Sequence, residues 1–154
     1  MFVYLLALLI GVVAGLRAMT APAAVAWAAH FGLLKLGDSW LAFFASFWAR
    51  GILTLLALVE LVTDQLPSTP SRTVPIQFGA RLVSGAFSGA AIGAAGGSWI
   101  AGMVAGLIGA VVGTLGGRAF RARLAASFGN DRPAAIVEDA IAIIGALLIG
   151  VAVP

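Results

Sequence analysis

Hydrophobic residues run along this chain in long unbroken stretches, and polar residues arrive in small, separated groups. Residues 2–33 are apolar apart from Arg17, Thr20 and His30. As one helix they would extend about 48 Å at about 1.5 Å per residue, against a hydrocarbon core about 30 Å thick. The stretch therefore either tilts and protrudes or breaks into two helices. A break is expected between Arg17 and Pro22, where proline removes a backbone hydrogen bond and Gly11 and Gly15 loosen the preceding turns. Irregular backbone at membrane depth is tolerated only where it faces protein or a wet cavity. Arg17 and Thr20 then become candidate site residues. The simpler alternative is a proline kink with Arg17 paired to one carboxylate.

A short loop at 34–38 (Lys35, Gly37, Asp38) precedes an apolar run over 39–63. Trp40 and Trp48 suit an interface there. Arg50 lies near the middle of the run with Gly51 behind it, so the segment could also begin as a shallow interfacial piece. Glu60 and Asp64, four apart, share a helical face. Residues 64–77 read as a proline-broken loop, with Ser68, Thr69, Ser71 and Thr73 around Arg72. The run over 78–97 carries Arg81, Ser84 and Ser88, and places Gly85, Gly89, Gly93 and Gly97 four apart. The run over 98–117 carries Gly102, Gly106, Gly109, Gly113 and Gly117. Such spacings let helix backbones approach closely in lipid. Packing of these two helices within one chain is favoured over a seam between copies, although a homo-oligomer would use the same faces. Residues 118–132 gather Arg118, Arg121, Arg123 and Arg132 against Asp131, the positive-inside signature of a cytoplasmic loop. Asn130 or Asp131 caps a last helix with Pro133 in its first turn, running to about residue 152 and holding Glu138 and Asp139.

The fold class expected is all-α: a polytopic transmembrane helical bundle with five spans, six if the first stretch is two helices. It forms a single integral membrane domain over 1–154, multi-pass in the inner (plasma) membrane. The amino terminus lacks the positively charged region of a signal peptide, so the first run reads as a retained span.

Composition agrees. Of 154 residues, 62% are hydrophobic and only 10% charged, and the mean hydropathy is +1.10. Soluble domains carry roughly 25% charged residues. A formal charge of +3 comes with no basic face in water, which argues against nucleic acid. With no cysteine and one histidine, a disulfide, a thiolate metal site, a cysteine nucleophile and a multi-histidine zinc site are excluded.

An internal echo is present. Gly15-Leu16-Arg17 with Thr20 matches Gly79-Ala80-Arg81 with Ser84, and Ala57-Leu58-Val59-Glu60 matches Ala135-Ile136-Val137-Glu138. Two halves, each with an arginine and a glutamate, would fit the repeats of many transporters, although common residues make chance matches frequent. Leu9-Ile10-Gly11 on Leu107-Ile108-Gly109 is a competing alignment.

The same polar residues carry a resemblance over nearly the whole chain. It rests on Ala14-Gly15-Leu16-Arg17, on Val59-Glu60-Leu61-Val62 with Thr63-Asp64-Gln65-Leu66-Pro67, on Arg81 with Ser84-Gly85-Ala86, and on Val137-Glu138-Asp139-Ala140. On these motifs the chain resembles a family of small bacterial integral membrane proteins catalogued as domain of unknown function 4126. Where that pattern usually has lysine after the aspartate, this chain has Gln65, which puts a role for a cation at that position in question. The resemblance implies one membrane domain and no assigned activity.

Ionisable groups at membrane depth cost several kcal/mol unless paired or wet, and by default they mark function. The candidate ion- or solute-binding set is Arg17, Thr20, Glu60, Asp64, Arg72, Arg81, Ser84, Glu138 and Asp139. The bland alternative is mutual pairing as structural salt bridges, against which the hydroxyls of Thr20, Ser84 and Ser88 speak. The leading function is a small transporter or channel, with Glu60 and Glu138 carrying a proton or cation. A second reading is binding or processing of a lipid phosphate at the cytoplasmic face, with Arg72, Arg81, Ser68, Thr69, Ser71 and Thr73 holding oxygens. Glu60, Asp64, Glu138 and Asp139 would then hold Mg²⁺. No nucleophile or phosphate-loop spacing supports an enzyme, and no cofactor is implied. A third reading is a structural or assembly protein, whose sign would be an exposed Gly85–Gly97 face. The partners expected are membrane lipid and an ion or small solute. His30 and the tryptophans read as interfacial residues.

Overall fold

The computed structural model describes residues 1–66 and 71–154, and all of the regular structure among them is helical. In chain order the helices are α1 (Phe2–Leu16), α2 (Thr20–His30), a 3-10 turn (Trp40–Ala45), α3 (Phe47–Thr63), α4 (Pro75–Ala95), α5 (Trp99–Phe128) and α6 (Asp131–Ala152). The run over 2–33 does break, at Arg17–Met19. Pro22 is not the cause. It sits in the first turn of α2, where its missing N–H removes no helical bond.

The two pieces form a hairpin. Along α5, Gly11 faces Gly106 and Gly15 faces Gly113, so α1 and α5 run in parallel. Tyr4 Oη donates to Gly96 O at the end of α4, and Arg81 near the start of α4 reaches Gly15 and Leu16, so α1 and α4 are antiparallel. Arg17 meets Asp139 of α6 while Ala28 meets Gly150, so α2 turns back along α6. Residues 15–20 thus form a buried tip, and the start of α1 and the end of α2 lie at the opposite end of the bundle.

The expected span over 39–63 is two elements. The 3-10 turn stops at Ser46, whose hydroxyl caps α3 by accepting from Ala49 N. Arg50 is therefore in the first turn of α3 rather than mid-span. Its guanidinium lies 5.1 Å from the Trp27 ring centroid and 5.6 Å from that of Phe47, a cation–π setting remote from the buried charges. The segment 118–132 is also not a loop. Helix α5 continues to Phe128, turns on Gly129 in the left-handed region (φ 68°), and α6 begins with Asn130 Oδ1 accepting from Arg132 N. Of the five or six spans expected, two helices, α5 and α6, are long and apolar enough by themselves to cross a membrane. Helix α1 is apolar but has 15 residues.

Helix α5 is the axis of the bundle because its glycines admit other backbones. A Cβ at Gly106 would lie 2.1 Å from Gly85 O, one at Gly109 2.0 Å from Leu8 O, and one at Gly113 2.2 Å from Val12 O. Gly85, Gly89 and Gly93 are buried against this helix, whereas Gly97 is exposed in the turn at φ 90°. The outward side is apolar: Leu55, Val62, Ile76, Leu148 and Val151 are all more than half exposed. Arg17 and Glu138 have no exposed surface at all. The four echoed residues stand in unlike settings. Arg17 is at a helix break and Arg81 inside a helix; Glu60 is near a helix end and Glu138 near a start.

Gly106→Ala puts a methyl into backbone on one side of α5, where no side chain can yield, and is expected to cost at least about 1–3 kcal/mol. Gly116 has nothing within 4 Å of a built Cβ, so Gly116→Ala should be neutral or stabilising by up to about 1 kcal/mol through helix propensity. Thermal unfolding of both variants in detergent checks the contrast.

Candidate functional site

Breaking a helix inside a packed bundle leaves carbonyls at one end and N–H groups at the other without partners. Both ends here are met by ionised side chains from other helices. Arg81 Nη1 of α4 donates to Gly15 O (2.9 Å) and Leu16 O (2.8 Å), capping the end of α1. The two oxygens of Glu60, from α3, accept from Ala18 N (2.7 Å) and Met19 N (2.8 Å), capping the start of α2. A cation at a helix C-terminus and an anion at an N-terminus each complement the macrodipole. Ser84 Oγ donates to Ala18 O, so this hydroxyl serves the backbone of the tip.

Arg17, at the tip itself, is fully buried and is held by Asp64 and Asp139. Gln65 Nε2 donates to the other oxygen of Asp139 at 3.0 Å. The position where the resembling family usually has lysine therefore still supplies a donor, but a neutral one. Arg81 Nη2 stands 3.9 Å from both Glu60 and Asp64. Arg72 forms a forked pair with Glu138 at 2.7 and 3.0 Å, the geometry a guanidinium offers a carboxylate. Gly117 makes this pair possible: a Cβ there would lie 2.9 Å from Arg72 Nη1 and 3.8 Å from Glu138 Oε1.

Eight of the nine residues expected from sequence thus converge on the tip. Thr20 does not join them. It starts α2, is buried, and its hydroxyl has no hydrogen-bond partner in the structure. The Ser88 hydroxyl is likewise buried without one. Residues Pro67, Ser68, Thr69 and Pro70, the heart of the expected hydroxyl-rich loop, lie outside the described residues. Among the described ones, Ser71 Oγ and Thr73 Oγ1 are 3.0 Å apart.

The Mg²⁺ arrangement is corrected. Glu60, Asp64, Glu138 and Asp139 face arginines or backbone N–H groups, and no group of three metal-ligating side chains forms among the described residues. Sequence reasoning missed Arg121, which was read as a marker of membrane side. It joins Asp131 (2.6 Å), donates to Asp64 O (3.3 Å) and stands 3.8 Å from Glu138. The signal was its spacing: Gly106, Gly109, Gly113 and Gly117 step along the buried face of α5, and Arg121 is the next step. With it, Arg17, Arg72, Arg81 and Arg121 face Glu60, Asp64, Glu138, Asp139 and, at the surface, Asp131 in one connected network.

A cavity of about 470 Å³ reaches this network between α3 and α4. Glu60, Asp64, Thr63 and Gln77 line its polar side, and Met19 and Ala80 its inner wall. Among the described residues, no arginine lines it.

Removing one member of a buried pair leaves an uncompensated charge, typically costing about 3–5 kcal/mol, whereas removing both costs much less. Arg72→Met and Glu138→Gln should each destabilise strongly, and the double variant should be more stable than the sum of the two losses implies. A double-mutant cycle on unfolding in detergent measures the coupling.

No curated protein and no solved structure matches the chain. One family model does, over residues 4–154, taking in every charged residue of the network. By that match, the chain belongs to the family described as Domain of unknown function (DUF4126).

Proposed function

We propose that the protein is a small multi-pass membrane protein that passes a proton or small cation through the hairpin tip. Helices α3, α4, α5 and α6 cross the bilayer, and α1–α2 enters as a re-entrant hairpin. This arrangement replaces the simpler count of five or six spans. The basic end, with Arg118, Arg123 and Arg132, faces the cytoplasm of the inner membrane by the positive-inside rule. Supporting the membrane setting is an inverted distribution of polarity, with large apolar side chains outside and the buried charges inside. Two helices of spanning length and apolarity add to it.

The observation that carries the functional reading is the carboxylate-lined cavity at a broken helix. Many transporters place their sites at discontinuous helices, where helix ends and ionisable groups meet. Glu60 and Asp64 face the cavity, while Arg17 and Arg81 stand behind them, committed to carboxylates and carbonyls. A cation arriving from the cavity meets anions first. The same commitment weakens the lipid-phosphate reading, because Arg72 and Arg81 already have partners. Assembly through the glycine face is weakened too, since Gly85, Gly89 and Gly93 are covered by the chain's own α5.

Liposomes holding the purified protein and a pH-sensitive or cation-sensitive dye test the reading. Wild type should carry a proton or cation flux, and Asp64→Asn should reduce it at least about tenfold while eluting as a folded species. Undiminished flux in folded Asp64→Asn protein would remove the carboxylate from the pathway. Topology is separately measurable, because the chain has no native cysteine. Lys35→Cys and Ser127→Cys should react with a membrane-impermeant maleimide from opposite faces. Reaction from one face would sink the proposed arrangement.

A further inference from the structure

The carboxylate-lined cavity does not stand alone. A second cavity, of about 390 Å³, lies beside it along the bundle, and Met19 and Ala80 line both. Its walls are hydrocarbon and aromatic, from Phe43 and Phe44 of the 3-10 turn, Leu53 of α3, and Val83 and Phe87 of α4. The two adjacent cavities between α3 and α4 thus make a groove with a polar, acidic end beside the hairpin tip and an apolar end lined by Phe43, Phe44, Leu53, Val83 and Phe87. Helix α3 leaves this groove open because it packs against α2 and the 3-10 turn and buries only Ala57 along its length.

From this pairing we infer that the groove binds an amphiphile with an ammonium head and an apolar chain, supplied as an amine-headed membrane lipid. The inference rests on the proposed membrane setting and deepens the cation reading of the same site. Charge selects the head. The charged side chains lining the polar end are Glu60 and Asp64, and among the described residues no lysine or arginine lines either cavity. A carboxylate has about four lone-pair positions. Glu60 gives one from each oxygen to Ala18 N and Met19 N, and Asp64 engages Arg17 through Oδ2. Acceptor capacity remains for a three-donor ammonium. An anionic head without an amine would meet the two carboxylates with no cation on the cavity wall. Apolar walls select the other end, which in a bilayer a lipid chain fills from the side without crossing water. The positive-inside orientation puts the acidic end at the cytoplasmic half of the membrane, the depth at which an inner-leaflet head and the first part of its chain lie.

The test is native mass spectrometry of the full chain, stripped of lipid in mild detergent and titrated with lysophosphatidylethanolamine or lysophosphatidylglycerol of equal chain length. Wild type should retain the ethanolamine lipid at least about fivefold better. Ala80→Trp fills the place where the two cavities meet and leaves every charged residue of the network in the chain, so it should abolish this retention. Gln77→Lys adds a cation to the acidic end and should reverse the preference toward the glycerol head. Equal retention of the two heads by wild type, or retention unchanged by Ala80→Trp, would overturn the inference and mark the lipid as a surface annulus. The readout is binding alone, so it separates from the flux test: retention without flux upholds the groove and sinks the cation pathway, and flux without retention does the reverse.

Discussion

The constraint on which the structure depends is the satisfaction of two helix ends in the interior of a bundle. Residues 15–20 reverse the chain in three residues, Arg17–Met19, and expose backbone at both sides of the turn. In apolar surroundings each unsatisfied group would cost several kcal/mol. Arg81 and Glu60 remove that cost, but each is an ion whose own burial is unfavourable. The remaining charges follow. Arg81 needs nearby anions, Asp64 and Glu60 stand 3.9 Å from it, and Asp64 in turn engages Arg17, which recruits Asp139. The network extends through Arg121 to Asp131 and Glu138, and from Glu138 to Arg72.

Such a network forms only if the helices come close enough for every side chain to reach. Glycine provides that closeness. At Gly106, Gly109 and Gly113 the neighbouring backbones occupy the place a Cβ would take, and at Gly117 the same space is given to the Arg72 guanidinium instead. One face of one helix thus changes from backbone packing to housing an ion pair within a single turn. This links two sequence features that look unrelated, the small-residue spacing and the opposed charges within the chain: the first sets the helix separations at which the second can pair.

Much of this was legible in the sequence because ionisable residues in apolar runs are rare and must find partners. Arg17, Glu60, Arg81, Glu138 and Asp139 follow from that rule, Asp64 from sharing a helical face with Glu60, Arg72 from its hydroxyl-rich loop, and Ser84 from its place beside Arg81. Less legible was what each does. Arg81 and Glu60 look like an ion pair in sequence, yet their main contacts are backbone groups of a turn whose conformation no local pattern announces. Pro22 drew attention to the right region for the wrong reason, since it begins a helix instead of ending one. Arg121 escaped because a run of arginines after an apolar stretch has a ready explanation as a topology signal. That explanation treats the segment as loop, whereas α5 continues and turns this arginine back onto Asp64 and Asp131. Thr20 failed in the opposite direction: proximity in sequence to Arg17 placed it in the site, but as the first residue of α2 it lines a separate cavity with Trp27, Thr54 and Ala57.

On the cation reading, the way the tip is held also specifies how a bound ion would act on the fold. Glu60 cannot serve an arriving cation fully without sharing its oxygens with Ala18 N and Met19 N. Protonation would weaken it as an acceptor for the same two groups, because a carboxylic acid is a poorer partner for a helix N-terminus than a carboxylate. Occupation of the cavity and retention of the tip are therefore in competition at one side chain. The helix that carries this side chain, α3, buries only Ala57 and so resists displacement least. Charge arriving at Glu60 would act on the most loosely packed helix and on the broken backbone together, which is the minimum a transport site requires: a ligand whose binding changes the relative stability of two arrangements.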